Sequence, residues 1–215
     1  NDGTLLGNYP SVGITRWAFE PARNLHRRLV EHADVVIGKF WPPTGPIAMW
    51  PGQVEPSFRI ITSIASLYAS NDPNEYVAAI KKYLHPEGVW VVQMQDEASV
   101  LRDRALDYFC HEHACLWGDA SFSQLLTRHG LQIWTIESNA VNGGSARYTV
   151  RHGEQGVSSH QDATIQDWGE FREGAELKRT LAQMALGNLR AEGKTVLGVA
   201  ASTKANTVLQ WYGIG

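Results

Sequence analysis

Between Thr15 and Gln93 the chain alternates short β-rich runs with segments of helical pattern, and this alternation narrows the fold more than any other feature. Thr15 to Phe19 reads as a strand. Pro21 to Glu31 reads as a helix, with Pro21 in the first turn, where its missing N–H costs no hydrogen bond. Asp34 to Ile37 is the next strand, and Trp41 to Pro56, rich in Pro and Gly, is a loop. Phe58 to Ser63 is strand-like, Asp72-Pro73 opens a helix through Leu84, His85 to Gly88 is a turn, and Val89 to Gln93 is a buried strand. Parallel neighbours must be joined by a crossover, usually a helix, so this order predicts a mostly parallel sheet covered by helices.

Beyond Gln95 the pattern changes. Ala98 to Tyr108 and Phe122 to His129 read as helices, Leu131 to Glu137 and Ala146 to Val150 as strands, with an Asn142-Gly143-Gly144 loop between them. From Ser158 the chain turns polar. It then runs helical from about Thr164 to Arg190, with Leu177, Leu181 and Met184 at helical spacing. Thr195 to Val199 reads as a strand, and Ala200 to Lys204 as a tight turn into a last helix. The chain begins at Asn1 on a loop sequence and stops at Gly215 just after that helix, so it reads as an internal stretch of a longer protein.

Composition removes several function classes. A net charge of −3 provides no basic footprint for nucleic acid. No apolar run approaches the roughly 20 residues that span a bilayer, and no charged-then-apolar leader is present. Two cysteines, Cys110 and Cys115, are too few for a disulfide framework, which predicts reduced thiols and a cytoplasmic location.

The chemistry concentrates in Cys110-His111-Glu112-His113, followed by Asn142-Gly143-Gly144-Ser145. Cys110, His111, His113 and Cys115 are competent metal ligands, but their spacing is too tight for a zinc finger and no second cysteine pair closes a tetrad. A second reading makes one histidine a packed core residue and leaves the others in solvent. A third is general acid–base chemistry, in which an imidazole moves a proton near neutral pH and Glu112 tunes it, which requires a turn to bring Glu112 to His113. Residue types alone leave all three open. At the other end, Asn1 to Thr4 forms a loop and Glu20 closes a strand; its carboxylate could accept from both hydroxyls of a ribose, or serve as a helix-end acid before Pro21. No Gly-x-Gly-x-x-Gly or Gly-x-x-x-x-Gly-Lys motif is present.

Six segments in order carry a family resemblance: Asn1 to Leu6, Phe19-Glu20-Pro21, Ile61 to Ile64, Cys110 to His113, Asn142 to Ser145, and Gly198 to Gly215. Together they resemble the S-adenosylmethionine-dependent sugar C-methyltransferases. The resemblance implies a class I methyltransferase, a Rossmann-like α/β parallel sheet lacking its first strand over residues 1–150. It further implies a helical connection at 151–190 and the start of a second Rossmann-like α/β domain at 191–215. A zinc-binding region would precede Asn1. The implied substrate is a nucleotide-linked 4-keto-deoxysugar methylated at C3, and the implied cofactor is S-adenosylmethionine.

Carried over by position, Asn1, Asp2, Gly3, Glu20, Pro21 and Ser63 fall in the cofactor pocket. His113 falls on the general base and Glu112 on its neighbouring acid, with Tyr108 or His111 as donors to the enolate oxygen. Asn142, Gly143, Gly144, Ser145 and Lys204 fall at the sugar. The sequence departs from the family at Cys115-Leu116-Trp117, where an aromatic pair is common, and at Gly198-Val199-Ala200-Ala201, where Gly-Tyr-Gly-Ala is usual. Two other readings remain: a methyltransferase acting on oxygen or nitrogen, and a non-catalytic nucleotide-sugar binding module.

Overall fold

The computed structural model describes residues 2–43, 55–153, 161–199 and 202–214. The chain divides into two compact units, Asn1–Pro56 and Ser57–Gly215.

In the first unit, β1 (Trp17–Phe19) and β2 (Val35–Ile37) pair in parallel, with Trp17 opposite Val35. The helix expected over 21–31 is shorter and mixed: a 3-10 turn at Arg23–Leu25 runs into α1 (His26–Leu29). Among the described residues this unit packs around a small cluster, Ala18, Leu29 and Ala33 with Leu6 and Val36 against it.

The second unit is a four-stranded mixed sheet. β3 (Phe58–Ile64), α2 (Pro73–Tyr83) and β4 (Leu84–Met94) form a parallel crossover unit. Helix α2 starts where the Asp72-Pro73 signal places it, since Asp72 Oδ1 accepts from the Glu75 N–H at 2.9 Å and Pro73 fills the first turn. Its Tyr76, Val77, Ile80 and Tyr83 face the sheet. The expected turn at 85–88 is absorbed into β4 as an irregularity. Phe58 pairs with Leu84 but Ile60 pairs with Val89, so two residues of β3 oppose five of β4.

The remaining strands depart from parallel order. β5 (Leu131–Asn139) and β6 (Ser145–His152) form a hairpin, and β6 inserts between β4 and β5, antiparallel to both, giving the order β3-β4-β6-β5. Helices α3 (Glu97–Asp103) and α4 (Asp119–Arg128) connect β4 to this hairpin in the chain. Trp90 on β4, Tyr148 on β6 and Phe122 on α4 are fully buried, with Phe122 packed edge-on against both rings. Tyr148 satisfies its buried hydroxyl by donating to Asp119 Oδ1 at 2.8 Å.

Helix α5 (Ile165–Ala191) begins at a capping box: Thr164 Oγ1 accepts from the Asp167 N–H, and the Thr164 N–H donates to Asp167 Oδ2. Its buried residues are Phe171, Gly174 and Ala175. Phe171 packs with Val100 and Tyr108. Leu177, Leu181 and Met184, despite their helical spacing, are more than half exposed. The strand expected over 195–199 does not form; Val196, Leu197 and Val199 lie exposed, and among the described residues no strand pairs with them. Helix α6 (Thr203–Tyr212) follows, capped by Ser202, whose hydroxyl accepts from the Ala205 N–H. Gln183 Nε2 of α5 donates to the Tyr212 carbonyl of α6 at 2.6 Å. Among the described residues no helix is long and apolar enough to cross a membrane.

One buried hydroxyl organises the start of the sheet. Ser63 Oγ accepts from Trp90 Nε1 at 3.0 Å and from Tyr76 Oη at 2.9 Å, joining β3, β4 and α2. Ser63→Ala would leave the fully buried indole N–H unsatisfied, and we expect it to destabilise the protein by about 1–3 kcal/mol. Denaturant unfolding that showed no loss would refute that role.

Candidate functional site

The carboxyl ends of β3 and β4 open into a cavity of about 340 Å³, lined among others by Tyr68, Gln95, Asp107, Asn142, Ser145 and Lys204. Ligands in open α/β sheets bind outside the carboxyl ends of parallel strands, so this is where chemistry is expected. Asn142, Ser145 and Lys204, three of the residues expected at the sugar, line it together although up to 62 positions separate them.

Each wall has a local cause. Asn142 (φ 55°), Gly143 (φ 84°) and Gly144 (φ 126°) form three successive left-handed positions. Ser145 Oγ closes the loop by donating to the Val141 carbonyl at 2.9 Å. A Cβ on Gly144 would stand 2.7 Å from Ser99 and 2.8 Å from the Arg102 guanidinium, so only glycine permits this approach to α3. Gly143 faces an adjoining cavity of about 390 Å³, which shares Gln95, Asp107 and Asn142 with the first. Lys204 sits in the first turn of α6; its Nζ donates to the buried Gln95 Oε1 at 3.1 Å and lies 3.5 Å from Asp107 Oδ2.

His113 stands behind Tyr68. Its ring is held between Tyr68 and Tyr108, with centroids 4.3 Å and 4.5 Å away. The turn that Glu112 requires is present, with the His113 N–H donating to the Cys110 carbonyl at 3.1 Å. The N–H groups of Ala114 and Cys115 both donate to the Tyr68 carbonyl. Among the described residues no hydrogen bond forms to the buried His113 Nδ1, although the Tyr108 backbone lies close enough to the ring to favour its charged form. Burial lowers the pKa of His113 below the ordinary imidazole value, and the Lys204 ammonium acts in the same direction. The Tyr108 backbone and the Glu112 and Asp107 carboxylates act against them. The imidazole is therefore neutral, a proton acceptor, at neutral pH.

The other expected catalytic residues take different places. Tyr108 is 1% exposed and its hydroxyl is committed to the Cys115 carbonyl at 2.5 Å, so it walls His113 and does not offer a donor to the cavity. His111 is exposed at the tip of the turn. Glu112 is exposed as well, and its Oε2 accepts from Thr203 Oγ1 at 3.2 Å, which ties the start of α6 to the His113 turn. Among the described residues no three His, Cys, Asp or Glu side chains converge as metal ligands. Ser63, expected at the cofactor, is consumed by Trp90 and Tyr76 in the core. Sequence reasoning missed Tyr68, Gln95 and Asp107. The rule that ligands sit beyond parallel strands would have found the first two, which follow the ends of β3 and β4.

The first unit carries the other expected cofactor residues, of which Asn1 lies outside the described residues. Asp2 Oδ1 accepts from the Thr4 N–H and hydroxyl, and Oδ2 lies 3.8 Å from Arg28. Gly3 (φ 91°) is buried, and a Cβ there would crowd His32 at 3.0 Å. Glu20 follows β1 directly, next to Pro21; its Oε1 accepts from the Ala22 N–H at 2.8 Å, and its carbonyl accepts from His26 Nε2 at 2.7 Å. The strand end thus presents a half-buried carboxylate with a fixed backbone.

Crossover strands, with polar side chains gathered beyond their carboxyl ends, define an α/β protein of the ligand-binding class. Residues 1–136 match the family model described as a methyltransferase domain, and residues 140–215 match the C-methyltransferase C-terminal domain. The chain belongs to the methyltransferase-domain family. It is 26% identical over 157 residues to the C-methyltransferase NovU of Streptomyces niveus, an alignment covering 67% of this chain and 37% of that protein. Among solved structures it is similar to an S-adenosylmethionine-dependent methyltransferase from Clostridium acetobutylicum ATCC 824, with TM-score 0.51 and 11% identity over 65% of this chain and 76% of that one. It is also similar to a TehB-like methyltransferase from Corynebacterium glutamicum ATCC 13032, with TM-score 0.48 and 14% identity over 70% and 75% of the two chains. The first of these structures supports the fold alone.

The lowered pKa of His113 is directly measurable. We expect its imidazole to titrate below about 6.5, and Glu112→Gln, by removing an anion that favours the imidazolium, to lower it further. NMR titration of the ring signals would test both, and a value above the ordinary one would contradict the burial argument.

Proposed function

We propose that this chain is part of an S-adenosylmethionine-dependent C-methyltransferase acting on a nucleotide-linked 4-keto-deoxysugar at C3. The observation that carries the reading is the His113 imidazole: its pKa lowered by burial, its ring held between two tyrosines, and one of these, Tyr68, lining the cavity beyond the parallel strands. The match of residues 140–215 and the similarity to NovU support transfer to carbon rather than to oxygen or nitrogen.

A carbon beside a ketone becomes acidic when a base is positioned over its proton and the enolate oxygen is stabilised. His113 is the base. Asn142 and Ser145 hold the sugar, and Glu112 steadies the turn that aims the imidazole. Glu20 suits the donor's ribose, because a carboxylate at the end of β1 offers acceptors to two neighbouring hydroxyls; Asp2, Gly3 and Pro21 shape the same region. S-adenosylmethionine, when bound, supplies an electrophilic methyl group on a sulfonium. The small-molecule substrate and the free thiols of Cys110 and Cys115 fit a cytoplasmic enzyme.

In the full-length protein we expect His113→Ala to lower methyl transfer by about 10²- to 10⁴-fold, the usual cost of removing a general base, while S-adenosylmethionine affinity changes only a few-fold. Near-wild-type turnover would remove His113 from the mechanism. Solvent deuterium exchange at the substrate carbon in the absence of the methyl donor would separate C-methylation from transfer to a heteroatom. Glu20→Ala should weaken donor binding by roughly 1.5–3 kcal/mol, since two charge-assisted hydrogen bonds are lost. Unchanged affinity by titration calorimetry would return Glu20 to a structural role at the end of β1.

A further inference from the structure

We propose that Lys204 is the catalytic electrophile that binds the substrate's ketone oxygen and stabilises the enolate, with Gln95 and Asp107 as the residues that position it. This rests on the C-methyltransferase reading above and assigns a task that reading leaves vacant. Removing a proton beside a ketone places negative charge on the oxygen, and a site lacking a donor there gains little from a base. Neither residue first expected as donor can serve: Tyr108 is committed to a backbone carbonyl, and His111 points from an exposed turn.

Lys204 meets each requirement. Its ammonium lines the cavity and comes from the first turn of α6, a fixed element. It carries three N–H bonds. Gln95 Oε1, on a residue 5% exposed, accepts one at 3.1 Å, and the Asp107 carboxylate faces another at 3.5 Å. The third remains for a ligand oxygen. With one N–H on a neutral acceptor and another facing an anion, the direction of the third is fixed by the other two. The same ammonium acts with burial to lower the His113 pKa, which favours the neutral imidazole that a base requires.

The electron count closes. His113 takes the proton from carbon, the C–H pair becomes the C=C bond of the enolate, and the carbonyl π pair moves onto oxygen, where Lys204 donates to it. When the C=C pair forms the bond to the methyl carbon, the pair on oxygen re-forms the C=O bond and the S–CH₃ pair leaves on sulfur.

The test uses the full-length protein with a dTDP-linked 4-keto-6-deoxyhexose as probe. Three quantities are compared for wild type, K204M, K204R and H113A: donor-independent deuterium exchange at the carbon, methyl-transfer kcat, and probe Kd. We expect K204M to lose about 10²- to 10³-fold in both exchange and kcat, with Kd changed less than about tenfold and K204R recovering part of the loss. D107N, which leaves the ammonium but loosens its aim, should reduce exchange with little change in Kd. Probe binding by K204M reports its fold independently of activity. Exchange and kcat kept in K204M with only Kd raised would overturn the proposal, making Lys204 a binding residue, while loss in H113A would still uphold the C-methyltransferase reading. Wild type binding the probe without exchanging deuterium would overturn both.

Discussion

The second unit depends on β6 having two hydrogen-bonding neighbours. A strand between β4 and β5 must satisfy both of its edges, and its register fixes everything attached to its ends: Trp90 opposes Val150, Met94 opposes Ala146, and Asn139 opposes Ser145. Shifting that register by one residue would turn Tyr148 away from Phe122 and empty the core. The same register brings the loop before β6 to the level at which β4 ends. Asn142 and Ser145 thereby meet Gln95, and the cavity is a product of strand pairing before any side chain is chosen for chemistry.

The turn from Cys110 to His113 is built by a different means. It lies in no strand or helix; backbone hydrogen bonds from Ala114 and Cys115 to the Tyr68 carbonyl fasten it to the connection after β3. The Tyr108 hydroxyl, bonded to the Cys115 carbonyl, closes the stretch on itself. Thr203 reaches Glu112 and Lys204 reaches Asp107, so the last helix braces both flanks of the turn. Residues more than 90 positions apart are in this way set at one site by short polar contacts.

Much of this was legible in the residues. Helix α2 starts at its Asp-Pro signal and α5 at Thr164, because capping chemistry is local. The Cys-His-Glu-His cluster and the Asn-Gly-Gly-Ser loop announce themselves by composition. The antiparallel insertion of β6 was hidden, since neither the alternation of Ala146 to Val150 nor the loop before it encodes which neighbour the strand will choose. Thr195 to Val199 has the composition of a strand but gains no partner, which is a tertiary matter. The partners of Ser63 were hidden for a similar reason: a small hydroxyl near the end of a strand suits a ligand or a buried indole equally, and packing decides. Tyr68 carried no signal of its own beyond its place after β3, and its importance comes from His113, 45 positions later.

The aromatic clamp on His113 has a consequence for motion. An imidazole between two tyrosine rings cannot turn about its own bond unless one of them shifts, and Tyr108 is anchored by its hydroxyl. Turning the ring is thus tied to displacement of Tyr68, the one member of the clamp that also faces the cavity. A molecule seated against Tyr68 would stop that displacement and hold the ring in one orientation. Occupancy of the cavity and rotational freedom of the histidine are therefore mechanically opposed, and filling the first quenches the second.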